Sequence, residues 1–177
     1  MKLMRRWFLR GALALAAVGA FASAASADET LWRAFRGRVT FSDVALAPES
    51  AFESPATMAA ALQRIQRSSF EETAGFWRLH VLAFLDRPAA TSGLVLRATD
   101  VTDRRAPREV RVFDVPAERG AKELRLDDFV VTETMGFQRN ASYEITIEAA
   151  PETGGGASET RKAGKADVYA KGVITLR

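Results

Sequence analysis

Hydrophobic and polar residues alternate along most of the chain after residue 27. A period of two is typical of strands that bury one face. The pattern predicts seven strands separated by turn residues, over 38–46, 76–85, 93–101, 109–115, 123–132, 142–149 and 168–176. Short strands at this spacing favour an all-β fold, an antiparallel sandwich.

One segment has a helical period instead. Its apolar residues are Met58, Leu62 and Ile65, spaced i, i+4 and i+7. Ser54 is a suitable N-cap, and Pro55 suits the first helical position. The segment predicts one amphipathic helix over 55–67, inserted between the first two strands and covering an edge or open end of the sandwich.

Two strands carry signs of irregular pairing. Leu124 and Leu126 share one parity, whereas Phe129 and Val131 share the other. A switch of the apolar face predicts a β-bulge, located at Asp127-Asp128. By the same reasoning, Gly172 predicts a second bulge in the last strand.

The order of the strands resembles an immunoglobulin-like sandwich across 38–177. Tyr143 follows a turn and starts a strand, at the position of a tyrosine corner. The last two strands resemble the terminal hairpin of that fold. Residues 28–177 are therefore expected to form a single sandwich domain, in which the Gly/Ser-rich segment 151–166 is a mobile loop.

The first 27 residues have the three parts of a signal peptide. A basic start over 2–10 precedes the apolar run 11–22, and small residues follow at Ala25-Ser26-Ala27. This arrangement predicts cleavage between Ala27 and Asp28. The uncharged stretch 11–27 is shorter than the roughly 20 residues of a membrane span, so no stable transmembrane anchor is expected after cleavage.

The basic start resembles a twin-arginine export signal. The matching residues are Arg5, Arg6, Phe8 and Leu9, with Arg10 in place of the usual lysine. The resemblance implies a bacterial protein that is exported already folded, to the periplasm or beyond the cell. An ordinary signal that happens to contain Arg-Arg is the alternative, with export by the general secretory route.

Charge and cysteine content exclude several function classes. The chain has 25 basic residues, 22 acidic ones and no cysteine. Four of the basic residues lie before residue 28, so removal of the signal leaves 21 against 22. A nucleic-acid partner is therefore not expected. The lack of cysteine excludes disulfides, thiol nucleophiles and thiolate zinc sites.

Catalytic residues are few. His80 is the one histidine, so any Ser-His-Asp triad must include it, and there is no Gly-x-Ser-x-Gly turn. His80 lies inside the strongest apolar strand, where a hydrogen-bonded structural histidine is expected. We predict no catalytic residue, no cofactor and no metal site. Calcium would need oxygens from a set without EF-hand spacing: Asp100, Asp103, Asp127 and Asp128.

Surface side chains suggest contacts with a partner. The second face of the His80 strand is half apolar, so either the predicted helix covers it or it is a contact patch. An aromatic–basic alternation near residue 33 predicts an edge strand or a docking segment. The candidate binding residues are Phe76, Arg78, His80, Leu82, Phe84, Trp32 and Phe35. A cluster of arginines over 104–111 is interleaved with acids, which favours a solvated face over an anion-binding surface.

These observations favour an exported, non-catalytic binding or assembly module whose partner is a protein or glycan of the envelope or extracellular matrix. A carboxylate-based exported hydrolase is one alternative, which requires two converging carboxylates in a pocket. A carrier of a small apolar ligand is another, which requires an apolar cavity.

Overall fold

The computed structural model describes residues 29–150 and 167–177. The predicted signal sequence lies outside the described residues, together with its export residues Arg5, Arg6, Phe8 and Leu9 and its cleavage pair Ala27 and Asp28. The predicted loop 151–166 also lies outside them. Those assignments stay predictions.

The described chain is mostly β structure with two α-helices. The strands are β1 (Arg38–Ser42), β2 (Ser69–Phe70), β3 (Phe76–Phe84), β4 (Gly93–Asp100), β5 (Arg108–Pro116), β6 (Glu123–Thr132), β7 (Ala141–Ala149) and β8 (Val168–Leu176). The helices are α1, of which residues 29–35 are described, and α2 (Pro55–Ile65), and short 3-10 turns occupy Glu49–Ala51 and Glu133–Met135. All seven predicted strands are present, although β1 ends at Ser42 rather than at residue 46, whereas α1 and β2 were not predicted.

The strands form one curled sheet in the order β5-β4-β7-β8-β1-β3-β6, and β2 pairs with β8 beside this path. Most neighbours are antiparallel, but β1 and β2 are parallel to β8. The sheet curls so far that its two outermost strands meet. Phe113 of β5 contacts Phe129 of β6 edge to face, with ring centroids 5.0 Å apart.

The concave, inner face of the sheet carries the main core. Alternate residues of β3, β4, β7 and β8 supply it, because successive side chains of a strand point to opposite faces. The large, fully buried members include Trp77, Leu79, Leu96, Tyr143, Ile145, Ile147 and Ile174. The predicted alternation therefore sorts inner from outer residues correctly.

Helix α2 begins as its sequence predicts. Ser54 is the N-cap, and its side chain and that of Thr57 each accept a hydrogen bond from the other's backbone N–H. This reciprocal capping box satisfies two free backbone donors. The helix ends at Ile65, two residues earlier than expected. Met58 and Leu62 face inward and are buried.

Both helices cover the outer face of β3. A second apolar cluster joins Leu31 and Phe35 of α1, Met58 and Leu62 of α2, and Leu82 and Phe84 of β3. The expectation that α2 covers an edge or open end is therefore wrong, because its apolar stripe packs on a sheet face. No helix in residues 29–150 or 167–177 combines the length and apolar character of a membrane span.

Gly172 marks a close approach between strands. The last strand does contain a bulge, but at Tyr169 rather than at Gly172: Gly172 pairs regularly with Ile145 of β7, whereas Ile147 pairs with Ala170 and Glu148 pairs with Val168. A Cβ at Gly172 would lie 2.3 Å from the carbonyl oxygen of Val39 on β1. Glycine is required because the backbones of β8 and β1 approach too closely for a side chain.

Candidate functional site

His80 lies opposite the predicted bulge, which is confirmed. Leu79 pairs with Phe129 and Val81 pairs with Leu126, so Asp127 and Asp128 both lie opposite His80. Asp128 has a φ of 56°, in the left-handed region that aspartate tolerates better than most residues. The bulge therefore brings two carboxylates beside the one histidine.

One nitrogen of His80 contacts both aspartates. Its Nδ1 lies 3.5 Å from Oδ1 of Asp127, and the backbone N–H of Asp128 donates to the same Nδ1 at 3.5 Å. An unprotonated Nδ1 accepts from Asp128, whereas a protonated one donates to Asp127. Only 15% of the His80 side chain is exposed, so the ring lies mostly between its neighbours on the outer face.

Ser42 joins this cluster across the strands. It is the register partner of His80 in the antiparallel pair of β1 and β3, so the two side chains share the outer face. Ser42, His80 and Asp127 line the same cleft. Sequence reasoning missed Ser42, since nothing in the pattern shows that β1 lies beside β3 in this register.

The Ser42 hydroxyl does not have the geometry of an activated nucleophile. Its Oγ donates to the backbone oxygen of Val44 at 2.7 Å. A catalytic serine donates its proton to the imidazole and exposes its oxygen to substrate. Ser42 does neither, because it is buried and its proton faces a carbonyl.

The cleft beside His80 is small. Its empty volume is about 260 Å³, which includes some open solvent. The space that a water molecule can occupy is about 10 Å³, enough for about one water molecule. Leu46 and Leu62 line its other side, and exposed Arg125 lies at its mouth. A sugar ring or a peptide side chain does not fit inside it.

The candidate binding residues do not form one open surface. Leu82, Phe84 and Phe35 are buried in the second cluster, where the Phe35 and Phe84 rings stack at 5.2 Å. Trp32 donates from Nε1 to the backbone oxygen of Leu85 at 2.5 Å. The alternation around Trp32 and Phe35 belongs to a helix, so the predicted edge strand is wrong.

The remaining two candidates interact with each other. The Arg78 guanidinium lies 5.8 Å from the ring centre of Phe76 and 3.6 Å from Oδ1 of Asp128. Arg78 is exposed and Phe76 is half-buried. The second face of β3 was expected either to be covered by a helix or to form a contact patch. Coverage by a helix is confirmed for Leu82 and Phe84.

The four aspartates considered for calcium lie in two separate places. Around the turn after β4, Asp100 accepts a hydrogen bond from the backbone N–H of Thr102 at 2.9 Å. Asp103 accepts one from the backbone N–H of Arg105, also at 2.9 Å. Asp127 and Asp128 lie at the bulge in β6. Within the described ranges, no group of three or more potential ligand residues is assembled.

A charged network on the outer face of β5, β4 and β7 was not predicted. Arg97 donates from Nε to Glu148 at 3.0 Å and from a terminal nitrogen to Glu109. Thr146 donates to the other oxygen of Glu148 at 2.7 Å. Glu148 is only 4% exposed, and these partners satisfy its carboxylate.

Comparisons with known proteins give no assignment: no family model, curated protein or solved structure matches the chain.

Proposed function

We propose that the chain is exported and that residues 28–177 act as a non-catalytic binding or assembly module in the bacterial envelope or extracellular space. The observation that carries this proposal is the geometry around His80. The only histidine lies beside a serine whose proton is bound elsewhere, in a cleft with room for about one water. The exposed surface of the domain is then the part that binds a partner.

Export is supported by the sequence of the first 27 residues and by the position of α1. The predicted cleavage bond, between Ala27 and Asp28, lies one residue before Glu29, the first described residue of this helix. The residues of α1 that pack on the sheet, Leu31 and Phe35, lie beyond that bond. Removal of the signal would therefore leave the packed helix intact in the mature domain.

For the fold, we propose an immunoglobulin-like sandwich with β5-β4-β7-β8 as one layer and β1-β3-β6 as the other. The inner faces of both layers contribute to the main core, and β1 and β8 share a single parallel register pair. The backbone N–H of Gln138 donates to the hydroxyl of Tyr143 at 2.5 Å, as expected for a tyrosine corner. Burial raises the pKa of this phenol, although the same hydrogen bond opposes the increase.

A test of the proposal compares binding with turnover. The mature domain is incubated with insoluble envelope material from a bacterium that expresses the chain, and both cosedimentation and release of soluble fragments are measured. We expect saturable binding without fragment release. His80→Gln is expected to leave binding intact while it lowers the free energy of unfolding by about 1 kcal/mol, the value of one hydrogen bond.

The same assay tests a hydrolase directly, because Ser42, His80 and Asp127 lie in one cleft. Fragment release by the wild type that is lost in Ser42→Ala, His80→Gln or Asp127→Asn, with folding retained, would refute a non-catalytic module. Arg64→Gln, an exposed change on α2, serves as the control. Failure of the wild type to bind envelope material would also refute the proposal.

A further inference from the structure

The bulge in β6 meets the one histidine of the chain at its most strained residue. Asp128 has a φ of 56°, in the left-handed region, where a residue with a side chain is strained. Its backbone N–H donates to Nδ1 of His80 across 3.5 Å. The pairing of β3 with β6 shifts register at the same point, between Leu79 and Val81. The contact with His80 therefore supports the backbone of β6 where regular strand pairing is interrupted.

The same ring nitrogen has a second partner, which only a protonated ring can use. Oδ1 of Asp127 also lies 3.5 Å from Nδ1 of His80. In a neutral ring, Nδ1 accepts the N–H of Asp128, whereas in a protonated ring Nδ1 carries a hydrogen of its own and cannot accept. Two donors would then face each other, while the Asp127 carboxylate becomes the stronger partner. Protonation thus exchanges a backbone hydrogen bond for an ion pair.

The charges on β3 and β6 leave Asp127 available for this exchange. Arg78 on β3 lies 3.6 Å from Oδ1 of Asp128, so it is engaged with the other aspartate. Among the described residues that line the cleft beside His80, Arg125 is the one other charged residue, and its side chain lies 3.5 Å from the backbone oxygen of residue 46. In the described ranges, no arginine or lysine nitrogen lies within 4.0 Å of the Asp127 carboxylate.

The groups that face His80 from β1 and α2 are uncharged. Ser42 is its register partner on β1, and its hydroxyl donates to a backbone oxygen at 2.7 Å. Leu62 of α2 lines the same cleft. Asp43 and Arg67, which follow these two elements, lie 3.9 Å from each other as an ion pair. Asp127 is therefore the carboxylate that a protonated ring would engage.

We infer that the bulge in β6 is a pH-sensitive device, in which protonation of His80 releases the backbone of Asp128 and draws the ring to Asp127. β6 is an outermost strand of the sheet, and both aspartate side chains are more than half exposed. The exchange therefore alters the surface of the domain rather than its core. Histidine side chains ordinarily change charge between about pH 5 and pH 8, a range that the surroundings of an exported protein cover.

The first test follows the amide of Asp128 by NMR while the mature chain is titrated from about pH 8 to about pH 5. We expect the amide signal to move with the same midpoint as the ring signals of His80. Its protection against hydrogen exchange, corrected for the intrinsic effect of pH, should fall about two- to ten-fold in the acid form, the range expected for one hydrogen bond. In His80→Gln, whose side chain gains no proton, neither change should occur.

A matched pair of variants tests the second partner. Asp127→Asn removes the charge that would receive the protonated ring, whereas Asp128→Asn makes the same chemical change one residue further along. Urea denaturation is measured at about pH 8 and about pH 5. We expect the urea midpoint of Asp127→Asn to fall further on acidification than that of the wild type, because the charged ring then lacks a charged partner. Asp128→Asn should follow the wild type.

Three results would overturn the inference. One is an Asp128 amide that stays unchanged while the ring of His80 titrates, and another is a ring that does not titrate above about pH 5. The third is an equal acid-dependent loss in Asp127→Asn and Asp128→Asn, which would indicate a general effect of charge. None of these measurements involves a binding partner, so their failure would leave the proposed function standing.

Discussion

The outer faces of the two halves of the sheet are both partly withdrawn from solvent, but by different means. On β3, Leu82 and Phe84 are covered by the apolar stripes of α1 and α2. On β4 and β7, Arg97 and Glu148 form a cross-strand ionic network. The stability of the apolar face depends on how well the shapes and volumes of its side chains fit together. The stability of the polar face depends on complete pairing of its charges.

This difference predicts how substitutions on each face lower the stability of the domain. Shortening a buried apolar side chain lowers the free energy of unfolding in proportion to the volume removed, because the neighbouring residues relax only in part to fill the cavity. A buried charge network loses most when a single partner is removed, because the other partner remains buried and unpaired. The predictions below test this contrast, from the largest expected effect to the smallest.

The largest effect is expected from Phe84→Ala. Phe84 is fully buried between the sheet and α1, where it stacks on Phe35. Loss of its ring is expected to lower the free energy of unfolding by about 3–5 kcal/mol, measured by urea denaturation of the mature domain. Phe76→Ala on the same face is the control and should cost much less, since Phe76 is only half-buried. Equal costs would show that the helices do not cover β3 as described.

Removal of Arg97 tests the polar face. Arg97→Met is expected to lower the free energy of unfolding by about 2–3 kcal/mol at neutral pH, because Glu148 keeps its charge and loses its cation. The double variant Arg97→Met/Glu148→Gln should be more stable than the single one, since it removes the unpaired charge. A double variant that is less stable than Arg97→Met would contradict this explanation.

Gly172→Ala tests the junction between the two halves. The new methyl group would lie against the carbonyl of Val39, so β1 and β8 must separate. We expect a loss of about 1–3 kcal/mol in the free energy of unfolding, the usual cost of overpacking. Gly93→Ala is the control, since a Cβ there would be 3.4 Å from that of Ala150. A neutral Gly172→Ala would show that the two strands approach less closely.

The smallest effect concerns the attachment of α1 at low pH. A hydrogen bond from Lys122, together with Arg33, holds the pKa of Glu29 below its ordinary value of 4.5, although partial desolvation opposes this. Because the folded pKa is the lower one, the pair's stabilisation is present above pH 4.5 and is lost as the pH falls through the folded pKa.

Urea denaturation of wild type and Glu29→Gln at several pH values measures this contribution. The variant should be slightly less stable at pH 6, and the difference should vanish once the pH falls below the folded pKa of Glu29, where both side chains are neutral. A difference that persists unchanged at low pH would show that the glutamate acts through packing rather than charge.

Much of the local structure follows from the sequence because it depends on neighbours in the chain. Alternation located the seven strands, and Ser54 with Pro55 located the start of α2. The parity switch located the bulge at Asp127 and Asp128. Helix α1 also left a signal, since Leu31 and Phe35 are spaced i, i+4, as are Glu29 and Arg33, which form an ion pair. Its aromatic–basic alternation favoured an edge strand or a docking segment instead.

The candidate site depended on contacts that no local pattern encodes. Ser42 and His80 are neighbours only because β1 lies antiparallel to β3 in one register. Arg97 meets Glu148 only because β4 pairs with β7, 51 residues further along the chain. Glu109 meets Arg97 only because β4 pairs with β5, although the exposed arginines over 104–111 agree with the solvated face that the sequence predicts.

The sequence by itself determined which segments are strands or helix, which of their faces are apolar, and where one strand must bulge, because these properties arise from periodicity and backbone preference within a few residues. Only the tertiary structure decided which strands are neighbours, which apolar face receives the helices and which charges are neutralised. Those outcomes depend on the register of strands distant in sequence, and a shift of one residue places a different set of side chains together.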